Sequence, residues 1–562
     1  MSDKRNLELS VSLMPIYYGF TYGSSMEIAA IAVKLAIGGL DRGLQGGSPL
    51  DETHYFQTIV GDVENTFGNI EAHDNLGPLT ISVEYELDEN PFLAWKADRP
   101  VQGDLRIQYD VVPIAQDVLS SSLETQMHAR TESGFVGIGS SFIPIPAVEE
   151  SAAVDVTIEW DLLSTPKELG SRTLSSFGQG NVLNKAASIK ELSECVFMVG
   201  EANSYLPTPS LNADGATGQL RGVHWMGTLP NNLEVMKEFT SNMVPRLCAF
   251  FKDESATRQI FMRKVPKGLR ATQITSEILI DYDDDTKDEN DWDLVRLLNS
   301  SLIATWAILD PEHDGTPNDW FTQGISHIYT IYLPFRFGQR SPDYFRATLN
   351  GYLSSYFTNP FVSYPMDKIP LDSWYGKEAI AMRSCIYMIR MDCFTRRASV
   401  ARNAGVLRPI DEIVADISSR RRRGEKVQMK DWLKYLGDWI GQEAAEQHFH
   451  QMKSGEIMDL EDMKTAFDGI DPDEQRVLDM GFDQESLTSE IVSGVIEHSK
   501  AAKSGLMNGD EILWYSRAEY CGTHYEDKHR LVVDRQGEKI NIEFWPRSNS
   551  VVKSWISKKK QT

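Results

Sequence analysis

The feature that most constrains this chain is where its hydrophobic period changes. From residue 6 to about residue 205 apolar side chains recur mostly at every second position. Leu79-Thr-Ile-Ser-Val-Glu-Tyr-Glu-Leu alternates, as does Gly103-Asp-Leu-Arg-Ile-Gln-Tyr-Asp-Val, with Pro, Gly and Asn between such runs. A period of two puts successive side chains on opposite faces of a strand, so this stretch predicts an antiparallel β domain. Near Ser210 the period lengthens. Leu233, Met236, Phe239, Met243, Leu247 and Phe250 fall three or four apart and make one face of a helix. A second helix is expected over 293–309. Ser341-Pro-Asp opens another, with an N-cap serine and proline at the first helical position. To about Gly469 the chain is expected to be mainly helical, with strands near 259–265 and 277–282. The last hundred residues return to strands.

The chain has 562 residues, of which 41% are hydrophobic and 24% charged. That excludes a disordered or collagen-like polymer and allows about three or four domains. Its 81 acidic and 56 basic residues leave a net charge of −25, which repels phosphate backbones and anionic lipid headgroups, so neither nucleic acid nor a membrane is an expected partner. No apolar run approaches the roughly 20 residues of a membrane span, and residues 1–15 lack the apolar core of a signal peptide. A soluble, cytoplasmic protein is expected. Cys195, Cys248, Cys385, Cys393 and Cys521 contain no Cys-x-x-Cys pair and are odd in number, which suits a reducing compartment. Cys385 and Cys393 lie in an apolar helical pattern, where inert buried thiols are expected.

The most informative phrase is Trp320-Phe-Thr-Gln-Gly-Ile-Ser-His-Ile-Tyr329. It resembles the Trp-x-x-Glu-Gly-x-x-x-x-Tyr segment of gluzincin metallopeptidases, whose glutamate is the third zinc ligand; here that position is Gln323. In that superfamily eighteen residues separate the glutamate from the second His of His-Glu-x-x-His, which places the motif on Ser300-Ser301-Leu302-Ile303-Ala304. Trp306 stands where the glycyl aminopeptidase family often has Trp. Leu93-Ala-Trp-Lys-Ala-Asp-Arg-Pro-Val-Gln-Gly and Tyr375-Gly-Lys-Glu-Ala-Ile-Ala-Met extend the likeness. Near the C-terminus, Glu490-Ile-Val-Ser-Gly-Val-Ile and Ala501-Ala-x-x-Gly-Leu-x-x-Gly-Asp-x-Ile resemble a PDZ domain. The chain as a whole therefore resembles the glycyl aminopeptidase family. The resemblance implies a multidomain α+β protein with an N-terminal antiparallel β-sandwich-like domain (1–205), a thermolysin-like, mainly α-helical domain (206–470) and a C-terminal PDZ-like β domain (471–548), followed by a basic tail (549–562).

The frame of the zinc motif is present, but its chemistry is not. Such a site needs two imidazoles at i and i+4, a carboxylate, and a glutamate to take a proton from metal-bound water. Ser300 and Ala304 replace the imidazoles, Ser301 the base and Gln323 the carboxylate. The expectation is a degenerate peptidase with no metal and no cofactor. His313, with Asp310, Glu312 and Asp314, has no common zinc spacing and reads as a polar turn.

Several residues are candidates for work in the old cleft. His327 lies one helical turn after Gln323 and is either an acid–base group or hydrogen-bonded scaffolding. By the resemblance Tyr375 stabilises an oxyanion; packed between helices, it is structural. Gly268-Leu-Arg-Ala-Thr-Gln-Ile falls where such peptidases carry a strand beside the substrate, so Arg270, Thr272 and Gln273 are candidate ligand contacts, and Arg270 is alternatively a surface charge. Ser300, Ser301, Ala304, Gln323 and Trp306 are expected to shape the pocket. Arg420–Arg423 reads as an exposed loop or helix end, and the glycine-rich run from Gly134 opens no helix and supports no dinucleotide site. Two functions follow as expectations. One is metal-free acid–base chemistry by His327 and Tyr375 (cyclisation, isomerisation or elimination) on a small biosynthetic intermediate. The other is a non-catalytic scaffold that binds a peptide or protein in the dead cleft or the PDZ groove, near Met480-Gly-Phe-Asp.

Overall fold

The computed structural model describes residues 7–17, 28–38, 55–59, 67–86, 92–113, 128–131, 134–148, 150–163, 165, 172–207, 219–253, 256–265, 267–274, 277–463 and 469–558. The chain divides into two units, one of Met1–Ser210, Gln219–Ser241 and Thr257–Asn290, the other of Asn242–Ala256 and Asp291–Thr562. The change of period near Ser210, residues 1–6 and residues 559–562 of the expected tail lie outside the described residues.

The first unit is built on the period-two segment. A seven-stranded sheet runs, edge to edge, through Val182–Ser188, Ala153–Trp160, Leu7–Tyr17, Ile28–Gly38, Leu105–Val111, Phe67–Asp74 and Gly77–Leu79. In Leu7–Tyr17 the alternation becomes burial: Leu7, Leu9, Val11 and Leu13 face the core while Glu8 and Ser10 are exposed. The sheet is not wholly antiparallel as expected. Leu7–Tyr17 and Ala153–Trp160 run parallel, as two strands far apart in sequence are free to do because no hairpin joins them. The run from Leu79 to Leu87 is divided between Gly77–Leu79 and Ile81–Glu86, and Leu87 is outside the described residues. Trp95 and Tyr109 meet edge to face at 5.0 Å in the core. Arg99, in the segment that carries the family likeness, grips Asp74 with two hydrogen bonds of 2.5 and 2.8 Å. The glycine-rich strand Gly134–Ile138 leads directly into one helical turn, Gly139–Phe142, contrary to expectation. Gly134 serves close packing, since a Cβ there would lie 2.2 Å from the Val199 carbonyl oxygen.

The same unit holds a five-stranded sheet of β1 (Ala202–Tyr205), β2 (Gln219–Met226), β3 (Thr257–Lys264), β4 (Arg270–Gln273) and β5 (Glu277–Tyr282), in the order β1-β2-β3-β5-β4. β2, β3 and β5 are parallel, and β4 returns antiparallel along β5. Parallel strands are buried on both faces, hence the continuous apolar run Ile-Leu-Ile in β5. Helix α1 is Asn231–Phe250, within the three-four pattern.

The second unit is a helical assembly of α2 (Asp291–Ala304), α3 (Asp319–Arg336), α4 (Pro342–Thr358), α5 (Trp374–Ala401), α6 (Pro409–Arg422), α7 (Met429–Ile440) and α8 (Gln442–Ser454). α4 begins as expected, Ser341 Oγ accepting the Tyr344 N–H. α2 stops five residues before the expected Leu309. There the Trp306 N–H turns to the Ile303 carbonyl, and the Trp306 indole reaches Asp253 Oδ2 at 2.7 Å. The arginines Arg420–Arg422 form the last turn of α6, where positive charge suits the carbonyl end of a helix, and Arg420 and Arg421 pair with Glu425, Asp431 and Asp310.

Two antiparallel groups of strands complete this unit: β6 (Ile470–Leu478) with β10 (Arg547–Ser557), and β7 (Glu511–Tyr515), β8 (His529–Arg535) and β9 (Glu538–Phe544). Short helices α9 (Ser486–Ser489), α10 (Lys500–Lys503) and α11 (Tyr520–Thr523) lie between strands. The strand expected over 490–496 is reduced to one bridge, Ile491 with Glu511. The expected basic tail is corrected as far as Ser557. It is strand β10, in which Ser554 and Trp555 are buried while Lys553 reaches outward to Asp459 at 2.8 Å. All five cysteines are buried, and none forms a disulfide. Among the described residues, no helix is long and apolar enough to cross a membrane.

Candidate functional site

The site is best built from α2, α3 and the helices packed on them. With a helical repeat near four, Trp292, Arg296, Ser300 and Ala304 form one stripe along α2, and Gln323 and His327 form one along α3. Ser300 is half-buried and donates its hydroxyl to the Leu297 carbonyl of its own helix at 3.2 Å; Ser301 and Ala304 are buried and Gln323 is exposed. These side chains do not fit a zinc ion. A hydroxyl bonded to its own helix, a methyl group and a neutral amide supply neither imidazole nor carboxylate. Among the described residues no group of three His, Cys, Asp or Glu side chains is placed to hold a metal. The His313 loop is a polar turn: Asp310 accepts the Val427 N–H and pairs with Arg421, and Glu312 accepts the Met429 N–H.

The glycine of the zinc-motif phrase has a packing role. A Cβ on Gly324 would lie 2.8 Å from both Met388 Cγ and the Ser384 carbonyl oxygen, so α3 and α5 meet there backbone to backbone. This fixes the rotation of α3 and aims His327 at α4. His327 Nδ1 is 2.9 Å from the Tyr352 hydroxyl. Burial, followed by the nearby Arg296 guanidinium, lowers the His327 pKa to about 3, so the ring is neutral near neutral pH. Tyr352 is pushed well above the ordinary tyrosine value by burial.

Around this pair lie Arg296, Ser355 and Glu378. Glu378 accepts a hydrogen bond from Ser355 Oγ at 2.9 Å and stands 4.0 Å from Arg296. Burial raises the Glu378 pKa, and Arg296 opposes the shift without cancelling it. From α11, the Tyr520 ring stands 5.8 Å from the Arg296 guanidinium and the Trp292 ring 5.5 Å from it, with the His524 ring against both. Two glycines allow that approach: a Cβ on Gly351 would come within 2.8 Å of the Thr523 carbonyl oxygen, and one on Gly522 within 3.0 Å of Ser355 Oγ.

Within the second unit, Tyr375 and Trp306 are engaged in packing. Tyr375 is buried among Leu478, Met480 and Phe482, and its hydroxyl accepts the Met480 N–H at 3.1 Å. Its burial raises its pKa. Trp306 is 2% exposed, stacked on Phe251 at 5.0 Å, and belongs to the interior. In the first unit, Arg270 Nε donates to Asp281 Oδ2 at 2.8 Å, while Thr272 is half-buried and Gln273 exposed on β4. Asp281 also takes Arg263, and although burial pushes its pKa up, the two arginines hold it below the usual range. The loop at Met480 has little left to offer a ligand carboxylate, for the Met480, Gly481 and Asp483 N–H groups are taken by Tyr375, Asp479 and Ser493. Sequence reasoning missed Arg296, Tyr352 and Tyr520. The i−4 relation of Arg296 to Ser300 is a legible signal; nothing local announces Tyr520.

The aminopeptidase N family protein from Idiomarina loihiensis matches with a TM-score of 0.66 at 11% identity, covering 98% of each chain. The chain has the aminopeptidase N family fold. An M1 zinc metallopeptidase from Deinococcus radiodurans gives a TM-score of 0.45 at 12% identity, over 81% of this chain and 94% of that one. Yeast LTA4 hydrolase in complex with Bestatin gives 0.44 at 10%, over 81% and 70%. No protein-family model and no curated protein matches the sequence. The expected resemblance thus stands at the level of fold.

Proposed function

We propose that this chain is a metal-free pseudo-peptidase of the glycyl aminopeptidase type that binds an extended peptide without hydrolysing it. The loss of hydrolysis rests on Ser300, Ser301, Ala304 and Gln323, which replace every zinc ligand and the base. The observation that carries the binding is the edge of β4. Among the described residues β4 pairs with β5 alone. The Ile274 N–H donates to the Glu277 carbonyl at 3.0 Å, which fixes the alternation: Thr272 and Arg270 turn their backbone groups toward β5, and Ala271 and Gln273 turn theirs to the open side. An extended peptide adds to such an edge as a further strand.

Acid–base chemistry has less support. An imidazole with a pKa of about 3 is neither charged enough to donate a proton near neutrality nor basic enough to take one readily. Tyr375 has its hydroxyl committed to a backbone amide. The test combines elemental analysis with peptide titration. The purified protein should carry no stoichiometric zinc and should leave aminoacyl and peptide substrates intact. Ala271→Pro removes an outward N–H without touching the β5 ladder, so it should abolish peptide binding while leaving the melting midpoint nearly unchanged. Stoichiometric zinc, or peptide binding unaffected by this proline, would overturn the reading.

A further inference from the structure

Arg296 is unusual among the buried cations of the second unit. Arg383 donates to the carbonyls of Phe361, Val362 and Tyr364, and Arg408 grips Asp392 at 2.5 Å. Arg296 donates no hydrogen bond to any described residue. Its one ionic neighbour, Glu378, is 4.0 Å away and takes its hydrogen bond from Ser355 instead. The other acidic group close by, Asp293, faces His524 at 3.6 Å. The guanidinium side chain is 16% exposed, so solvent reaches it, and the Trp292 and Tyr520 rings lie within 5.8 Å of it. A guanidinium carries five N–H donors in a planar fork matched to a carboxylate, and here solvent rather than a side chain or carbonyl faces them, so a ligand carboxylate can replace that water.

We propose that Arg296 anchors the carboxylate of a small ligand, held by paired hydrogen bonds on the side of the guanidinium that solvent reaches. The position supports this: Arg296 is one helical turn from Ser300, on the α2 stripe that carries a metal's positive charge in zinc peptidases of the resembled family. Here a fixed organic cation supplies the positive charge. The inference takes from the proposed function only that no metal occupies this stripe.

The probes are N-acetyl-L-phenylalanine and its C-terminal amide, which share size and ring and differ in charge, titrated calorimetrically into the full-length protein. The acid should bind at least about tenfold more tightly than the amide, the difference expected for one charge-assisted contact. Arg296→Gln should remove that preference, and Arg296→Lys should keep part of it, because an ammonium retains the charge without the fork. Equal binding of acid and amide to the wild-type protein, or binding of neither, would overturn the proposal even if Arg296→Gln fails to fold. Ala271→Pro separates the two readings. It should leave N-acetyl-L-phenylalanine binding unchanged, so loss of peptide capture with retained acid preference sinks only the edge-strand reading, and the reverse pattern sinks only this one.

Discussion

The phenolic oxygen of Tyr375, at the start of α5, accepts the backbone N–H of Met480, 105 residues later, at 3.1 Å. Both residues are buried, and they belong to one apolar cluster with Leu478, Phe482 and Phe544. The contact ties the helical region to the C-terminal strands through a donor that has no water to fall back on.

Tyr375→Phe should therefore act on stability. Removing the oxygen strands a buried N–H, which costs about 1–3 kcal/mol. Thermal melting of the variant should show a lower midpoint, with the C-terminal strands the first to lose amide-exchange protection. A midpoint equal to that of the wild type, combined with loss of some activity, would instead return Tyr375 to a catalytic role.

Three histidines make stability depend on pH. His327 and His529 have pKa values lowered to about 3 and His224 to about 4, in each case chiefly by burial. In the unfolded chain all three revert to about 6.5, so between about pH 6.5 and pH 4 the unfolded state holds more protons. Stability is full above that window and falls as pH drops through it, by at most about 1.4 kcal/mol per unit for each histidine. Glu378 and Asp392, whose pKa values are raised, oppose the trend. His327→Gln should flatten the dependence of the melting midpoint on pH between about 7 and 5. An unchanged slope would mean that this ring does not stay neutral in the folded protein.

Gly324→Ala tests why the zinc-motif phrase keeps its glycine. The added methyl meets the Ser384 carbonyl at 2.8 Å, and a backbone oxygen inside α5 has no rotamer by which to yield. The helices must separate, at a cost of about 1–3 kcal/mol. Ser300→Ala, which removes a hydroxyl bonded to its own helix, should change stability by no more than about 0.5 kcal/mol. Similar melting midpoints for the two variants would refute the close α3–α5 contact.

Much of the scaffold was readable because periodicity reports burial. The alternation in Leu7–Tyr17 and the three-four spacing in α1 both became buried faces. What failed was less local. The parallel pairing of Leu7–Tyr17 with Ala153–Trp160 leaves no mark on either strand alone. The basic C-terminal segment reads as a tail because its lysines hide the buried Ser554 and Trp555 beside them. At the site, counting from Gln323 marked the α2 stripe that includes Arg296. The partners of Arg296 come from α5 and α11, and only packing at Gly351 and Gly522 brings Tyr520 there.

Installing zinc ligands at the counted positions tests the proposed register directly. Ser300 and Gln323 have room for larger side chains, but Ala304 is 1% exposed, so an imidazole there must displace its neighbours. Ser300→His, Ala304→His and Gln323→Glu combined should lower the metal-free melting midpoint, because overpacking one such position costs about 1–3 kcal/mol. Zinc should then raise the midpoint above its metal-free value, since structural zinc sites bind with apparent free energies of about 10–16 kcal/mol. Gln323→Glu alone should show no response, having one ligand of three. If the triple variant ignores zinc although it folds, α2 and α3 do not hold positions 300, 304 and 323 toward a common point, and the peptidase ancestry of the stripe loses its geometric support.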